Sequence, residues 1–164
     1  MKVAMTKQTP FTIRRLASGD IDLVRDLLTV FGQAFEDEHT YIQAQPDETY
    51  LDNLLGSETV VVLVALQGAE VLGGLVAYEL GKLEQRRSEI YIYDLAVAEQ
   101  HRRRGVATGL IEQVWTIASQ RGAHVVYVQA DLEDEPAIQL YTKLGTREDV
   151  LHFDLRDDAF KALE

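Results

Sequence analysis

Two kinds of apolar pattern alternate along the chain, and their order predicts the fold. Phe11–Ala17 (FTIRRLA) alternates apolar and polar residues and predicts a strand. Ile21, Val24, Leu27, Leu28 and Phe31 then fall at helical spacing, with Ser18 or Asp20 placed to cap a helix running to about Phe31. A polar, irregular stretch follows, FGQAFEDEHTYIQAQ, and then a short helix over Asp47–Leu55. Thr59–Leu66 is a continuous β-branched run. The tight QGAE joins it to Val71–Leu80, which predicts an antiparallel hairpin. Ser88–Val97 reads as a further strand. A helix over residues 104–121 sets Val106, Leu110, Ile111, Val114, Ile117 and Ala118 on one face before Gly122 stops it. His124–Asp131 reads as a buried strand. A helix with Pro136 in its first turn runs to Leu144 and ends at Gly145, and Arg147–Leu155 alternates as a final strand.

The predicted order is β-α-α-β-β-β-α-β-α-β. Strand 88–97, helix 104–121 and strand 124–131 form one βαβ unit, so those two strands are expected to be parallel. With antiparallel strands earlier in the chain, this predicts an α/β fold: a mixed sheet with helices on both faces. No internal repeat or long linker divides the 164 residues. Residues 10–157 therefore read as a single domain, between a disordered lead at 1–9 and a tail at 158–164.

Charge narrows the choice of partners. Lys plus Arg is 16 and Asp plus Glu is 27, a formal charge of −11. Such a chain is expected to repel nucleic acid and anionic membranes and to attract cationic, polyamine-like molecules. It has no cysteine, which excludes disulfides, thiolate metal sites and an acyl-cysteine intermediate. The four histidines show no ligand spacing, so no metal is expected. Without a signal-like apolar run or a stretch approaching a membrane span, the cytoplasm is the expected location.

HRRRGVATGL, His101 to Leu110, is the one basic anomaly. It follows a predicted strand and opens a helix, whose first turn has free backbone N–H groups and a partial positive charge. Gly105 and Ala107 are small enough for a polyphosphate to approach closely. Neither GxxxxGK[ST] nor GxGxxG is present; what remains is R-x-x-G-x-A, Arg102 to Ala107. On these residues alone, an anion cradle and a helix start with solvated arginines remain open.

The pattern resembles the R/Q-x-x-G-x-G/A signature of the GNAT acetyltransferase superfamily, which binds the pyrophosphate of acetyl-CoA. The resemblance covers about Glu89 to Gly145. Within it IYDLAV, HRRRGVAT, VYVQAD and AIQLYTKLG are similar to the aminoglycoside 3-N-acetyltransferases of that superfamily, the gentamicin-modifying type. The resemblance implies a GNAT-like acyl-CoA N-acyltransferase fold with a bulged strand and a splayed parallel neighbour. It implies acetyl-CoA as co-substrate, a polycationic amine as acceptor, and a homodimer as a common assembly. The expected reaction is acetyl transfer to the 3-amino group of an aminoglycoside by direct attack in a ternary complex, conferring resistance. The alternatives are another amine, such as a polyamine or peptide lysine, and a non-catalytic acyl-CoA sensor.

The same resemblance distributes roles. The pyrophosphate falls to Arg102, Arg103, Arg104, Gly105, Val106, Ala107 and Thr108, and the pantetheine to the backbone of Leu95, Ala96 and Val97, with Asp134 and Ala137 beside it. Asp134 stands where the superfamily often has Asn, and Thr146 where it often has Phe; the added charge at Asp134 suits a cationic acceptor. Tyr141, in LYTKLG, matches the superfamily tyrosine near the coenzyme sulfur and is expected to protonate the thiolate, although mid-helix it also reads as core packing.

Asp94 alternates with Ile90, Ile92 and Ala96, which puts a carboxylate on an otherwise apolar face. It reads either as a buried acid bonded to loop amides or as the group that binds or deprotonates the acceptor, next to Tyr93. Two acidic runs add to it: Glu36, Asp37 and Glu38 after the first helix, and Asp131, Glu133 and Asp134 before the last. Each reads as capping and solvated surface or as the lining of a cation pocket.

Overall fold

The computed structural model describes residues 10–155. The expected lead at 1–9 and tail at 158–164 lie outside them. The chain divides into two units, Met1–Gln129 and Ala130–Glu164.

In the first unit five strands form one sheet in the order β1-β2-β3-β4-β5. They are β1 (Thr12–Arg15), β2 (Val60–Gln67), β3 (Glu70–Gly81), β4 (Ser88–Val97) and β5 (Val126–Val128). The first four pair antiparallel, and β4 pairs β5 in parallel, as the βαβ reading requires. Helices α1 (Ile21–Ala34) and α2 (Glu48–Leu55) belong to one face, and α3 (Val106–Arg121) to the other. Both faces are thus covered, which is why β2 is an unbroken apolar run. Val61, Leu63 and Ala65 join Leu110 and Val114 in the α3-side core; Val62 and Val64 join Leu27 and Phe31 in the α1-side core.

The expected helix boundaries hold to within a few residues. Asp47 caps α2 by accepting from the Tyr50 N–H at 2.9 Å. Gly122, at φ 69°, closes α3. α3 begins at Val106 rather than Arg104, because Gly105 takes a left-handed φ of 79° and serves as its N-cap. The stretch expected to be irregular holds a π-helical turn, His39–Gln43. Gly32 of α1 admits this turn: a Cβ there would lie 2.7 Å from Ile42 Cγ1 and 3.3 Å from Tyr41 Cβ.

One expectation about β4 is corrected. Val76 pairs with Asp94 but Ala77 pairs with Ile92, so Tyr93 is an extra residue, a β-bulge. A bulge shifts the inside–outside alternation by one. Ile90 and Ile92 pack in the α3-side core, whereas Ala96 and the Asp94 partner Val76 pack on the α1 side. Asp94 therefore does not share a face with Ile90 and Ile92; it lies on the face that α1 covers.

In the second unit α4 (Glu135–Leu144) is the one regular element among the described residues. The strand expected over Arg147–Leu155 is absent. Its alternation is real, but a strand exists only where a neighbour takes its backbone groups, and these residues form no ladder. Val150, Leu151, Phe153 and Leu155 are exposed.

Candidate active site

The site in the first unit is built around the bulge in β4. The β5 ladder covers only Ile90–Ile92, so beyond the bulge Tyr93–Val97 has no strand partner on that side among the described residues. The Ala98 N–H donates to Leu72 O at 2.8 Å, toward β3. Counting back by twos, Ala96 also faces β3, while Leu95 and Val97 turn their N–H groups to the open edge. Of the three residues expected to present backbone to a pantetheine, Leu95 and Val97 are so placed. Ala96 is not, because its backbone belongs to the β3 ladder.

Downstream, residues 98–105 carry the chain into α3. The first α-helical bond runs from the Gly109 N–H to Gly105 O at 3.0 Å, so the N–H groups of Val106, Ala107 and Thr108 precede any intrahelical partner. The arginines differ in role. Arg104 donates to Gln67 Oε1 and to His101 Nδ1, each at 2.8 Å. An arginine only donates, so His101 Nδ1 accepts and its Nε2–H donates to Glu70 Oε1 at 2.8 Å. This network ties the turn to the β2–β3 hairpin. Arg102 donates from Nε to Val97 O at 3.3 Å, and Arg102 and Arg103 are exposed. Donors from a helix start with two exposed arginines suit the pyrophosphate of a coenzyme.

Asp94 is half-buried. Its Oδ1 accepts from the Tyr41 hydroxyl at 3.1 Å, and no ion pair among the described residues includes it. Burial pushes its carboxyl above the usual carboxylate range, and the Tyr41 hydrogen bond partly offsets that. Phenols ring it. Tyr93 meets Tyr78 edge-on at 5.9 Å between ring centroids and Tyr91 at 5.6 Å; Tyr91 stacks on Tyr127 at 4.8 Å. Tyr93 is 62% exposed, within reach of a ligand. Nothing in the sequence pattern marks Tyr78, and the one signal for Tyr41 is a glycine inside α1, Gly32, where another segment comes close.

Of the first acidic run, Asp37 accepts from the Thr40 N–H at 3.1 Å and opens the π turn, which holds its carboxyl below the usual range. Glu36, at a left-handed φ of 56°, and Glu38 are exposed. In the second unit Asp134 caps α4 by accepting from the Ala137 N–H at 3.1 Å, so these two residues meet in a cap. Asp131 and Glu133 are exposed. Tyr141 is half-buried in α4; burial, then the Asp134 charge, pushes its phenol up to about 12, so it stays protonated at working pH. Among the described residues no cluster of His, Cys, Asp or Glu is arranged to hold a metal, and no helix is long and apolar enough to cross a membrane.

A bulged strand parting from its parallel neighbour, followed by an R-x-x-G-x-A turn into a helix, defines the acyl-CoA transferase class of fold. The acetyltransferase (GNAT) family model matches residues 23–146, and the chain belongs to that family, whose enzymes use acetyl-CoA. Among solved structures, an aminoglycoside acetyltransferase from an uncultured soil metagenomic sample is 52% identical, with a TM-score of 0.88 over 90% of this chain and 98% of that one. A second soil metagenomic aminoglycoside acetyltransferase, crystallised with sisomicin, is 31% identical, with a TM-score of 0.83 over 89% and 95% of the two chains. Curated relatives are more distant. An N-alpha-acetyltransferase of Sulfurisphaera tokodaii is 32% identical over 91 residues, 49% of this chain. An uncharacterised N-acetyltransferase of Methanocaldococcus jannaschii is 27% identical over 143 residues, 84% of this chain. The matches span 54% and 61% of those two relatives' lengths.

Proposed function

We propose that this acetyltransferase transfers acetyl from acetyl-CoA to an amino group of a polycationic amino sugar, the 3-amino group of an aminoglycoside of the gentamicin type. The observation that carries the reading is Asp94: a half-buried carboxylate with no cation partner among the described residues, beside the open edge of β4, bonded by the Tyr41 phenol and near Tyr78 and Tyr91. Such a group binds an ammonium and, once ionised, takes a proton from it. The similarity to two aminoglycoside acetyltransferases supports the same acceptor class.

In this reading the N–H groups of Val106, Ala107 and Thr108, with Arg102 and Arg103, hold the pyrophosphate, and the Leu95 and Val97 N–H groups hold the pantetheine arm. Acetyl-CoA supplies an activated thioester. Asp94 removes a proton from the acceptor amine, the C–N bond forms as the C–S bond breaks, and the departing thiolate takes up a proton as coenzyme A leaves. With no cysteine in the chain, transfer is direct, in a ternary complex. Tyr93, Glu36 and Glu38 are the acceptor contacts proposed in the first unit. In a susceptible bacterium this activity confers gentamicin resistance.

The test is acetyl-CoA turnover read as free thiol, against which the protein contributes no background. Gentamicin, spermidine and a lysine peptide are compared, and the gentamicin product is located by NMR. Acetylation at the 3-amino group is expected. Turnover of spermidine or peptide without gentamicin overturns the acceptor assignment; acetyl-CoA binding without any turnover makes the protein a sensor.

A further inference from the structure

We propose that Tyr41 is a positioning residue for the acceptor site: its phenol commits one oxygen of Asp94 and aims the other at the amine. The inference rests on the role given to Asp94 above. Three observations carry it, all within the first unit.

The first is the division of labour between two oxygens. Oδ1 accepts the Tyr41 O–H at 3.1 Å, while Oδ2 has no protein partner among the described residues. A carboxylate free on both sides rotates between rotamers; one held at Oδ1 presents Oδ2 in a fixed direction.

The second is how firmly Tyr41 is itself held. Its ring meets Phe31 edge-on at 6.0 Å and Phe35 at 5.4 Å, and its residue lies in the π turn that the bare Gly32 lets close against α1. The Gln45 side-chain amide donates to Tyr41 O at 2.9 Å, and the Arg25 guanidinium donates to Gln45 Oε1 at 2.9 Å. A π turn is a costly local structure, and such turns recur at functional sites. Here its product is a phenol delivered to a strand 53 residues further along the chain.

The third is electrostatic. The groups that interact with Asp94 are phenols from each packed element: Tyr41 on the π turn, Tyr78 on β3, and Tyr91 on β4 itself. Tyr93 and the Asp37 carboxylate also act on Tyr41, and both raise its pKa. Among the described residues no cation opposes the cost of burying the Asp94 charge, so the Tyr41 hydrogen bond is the interaction that favours the ionised form. Tyr41 is in turn pushed well above an ordinary phenol by burial and by Asp94, and remains a donor throughout the working range.

Tyr41→Phe keeps the ring packing and deletes only the donor. Removing a hydrogen bond to a carboxylate raises its pKa, so the Asp94 titration, followed by carboxyl 13C NMR, is expected to move up by about one pH unit. The acid limb of kcat/KM for gentamicin is expected to move with it, with most of the rate recovered at high pH. An Asp94 titration unchanged in Tyr41→Phe overturns the inference, whatever happens to activity. Asp94→Asn separates the two layers of the argument. If it keeps turnover and the acid limb, Asp94 is not the base and the mechanistic reading falls, while the NMR titration still decides whether Tyr41 tunes Asp94.

Discussion

At the residue scale, half-burying the Asp94 carboxylate costs stability. Its folded pKa is raised above the unfolded value, so between those two values the folded state holds more proton than the unfolded chain. Stability therefore falls as pH rises through that window and stays lower above it. Asp94→Asn is expected to raise Tm by about 2 °C at pH 7 and to have no such effect near pH 3, as read by calorimetry. The same variant is expected to lose about 100-fold or more in kcat/KM while keeping acetyl-CoA affinity. Gly32 is the residue whose importance is least visible locally. Gly32→Ala drives a Cβ into Ile42 and is expected to cost about 1–3 kcal/mol in urea unfolding, while displacing Tyr41 from Asp94. The sequence marks Asp94 as a carboxylate in an otherwise apolar strand pattern. Strict alternation assigns it the wrong face because a period of two carries no sign of an inserted residue, and Tyr41 escapes notice because its contact partner lies 53 residues away.

At the element scale, periodicity located the helices and strands that bury a face. The α3 stripe Val106, Leu110, Val114, Ile117 and Ala118 is buried as expected. It failed where burial does not decide. The π turn has no hydrophobic period of its own, and Arg147–Leu155 has the alternation of a strand but no ladder. The basic turn also divides in a way residue type alone does not reveal. Arg104 is engaged with Gln67 and His101, while Arg102 and Arg103 face solvent. Gly105 sets the entry to α3 at φ 79°, which a side chain rarely adopts. Gly105→Ala is accordingly expected to cost about 1 kcal/mol of stability. It should also weaken acetyl-CoA binding in calorimetric titration, more than Arg103→Ala does, because the backbone donors are displaced together.

At the scale of the whole molecule, the charge of −11 and a short cationic turn ask opposite things of solvent. On the proposed function, a polycationic acceptor is drawn by the field of the entire chain, and an anionic coenzyme only by the turn. Raising ionic strength from about 0.05 to 0.3 M is expected to raise KM for gentamicin about threefold or more, with a smaller change for acetyl-CoA. Equal responses of the two substrates would show that local contacts, not the global field, govern acceptor capture. The bulge at Tyr93 has a consequence at this scale as well. It splits β4 into two half-strands in opposite phase: the first sends Ile90 and Ile92 into the α3-side core and Tyr91 to the other face, and the second carries Asp94 on the face that α1 covers. Tyr91 and Tyr93 can therefore be exchanged without reaching the α3 core. If Asp94 meets the acceptor as proposed, exchanges at Tyr91 and Tyr93 alter the surroundings of the acceptor while the α3-side core stays as it is.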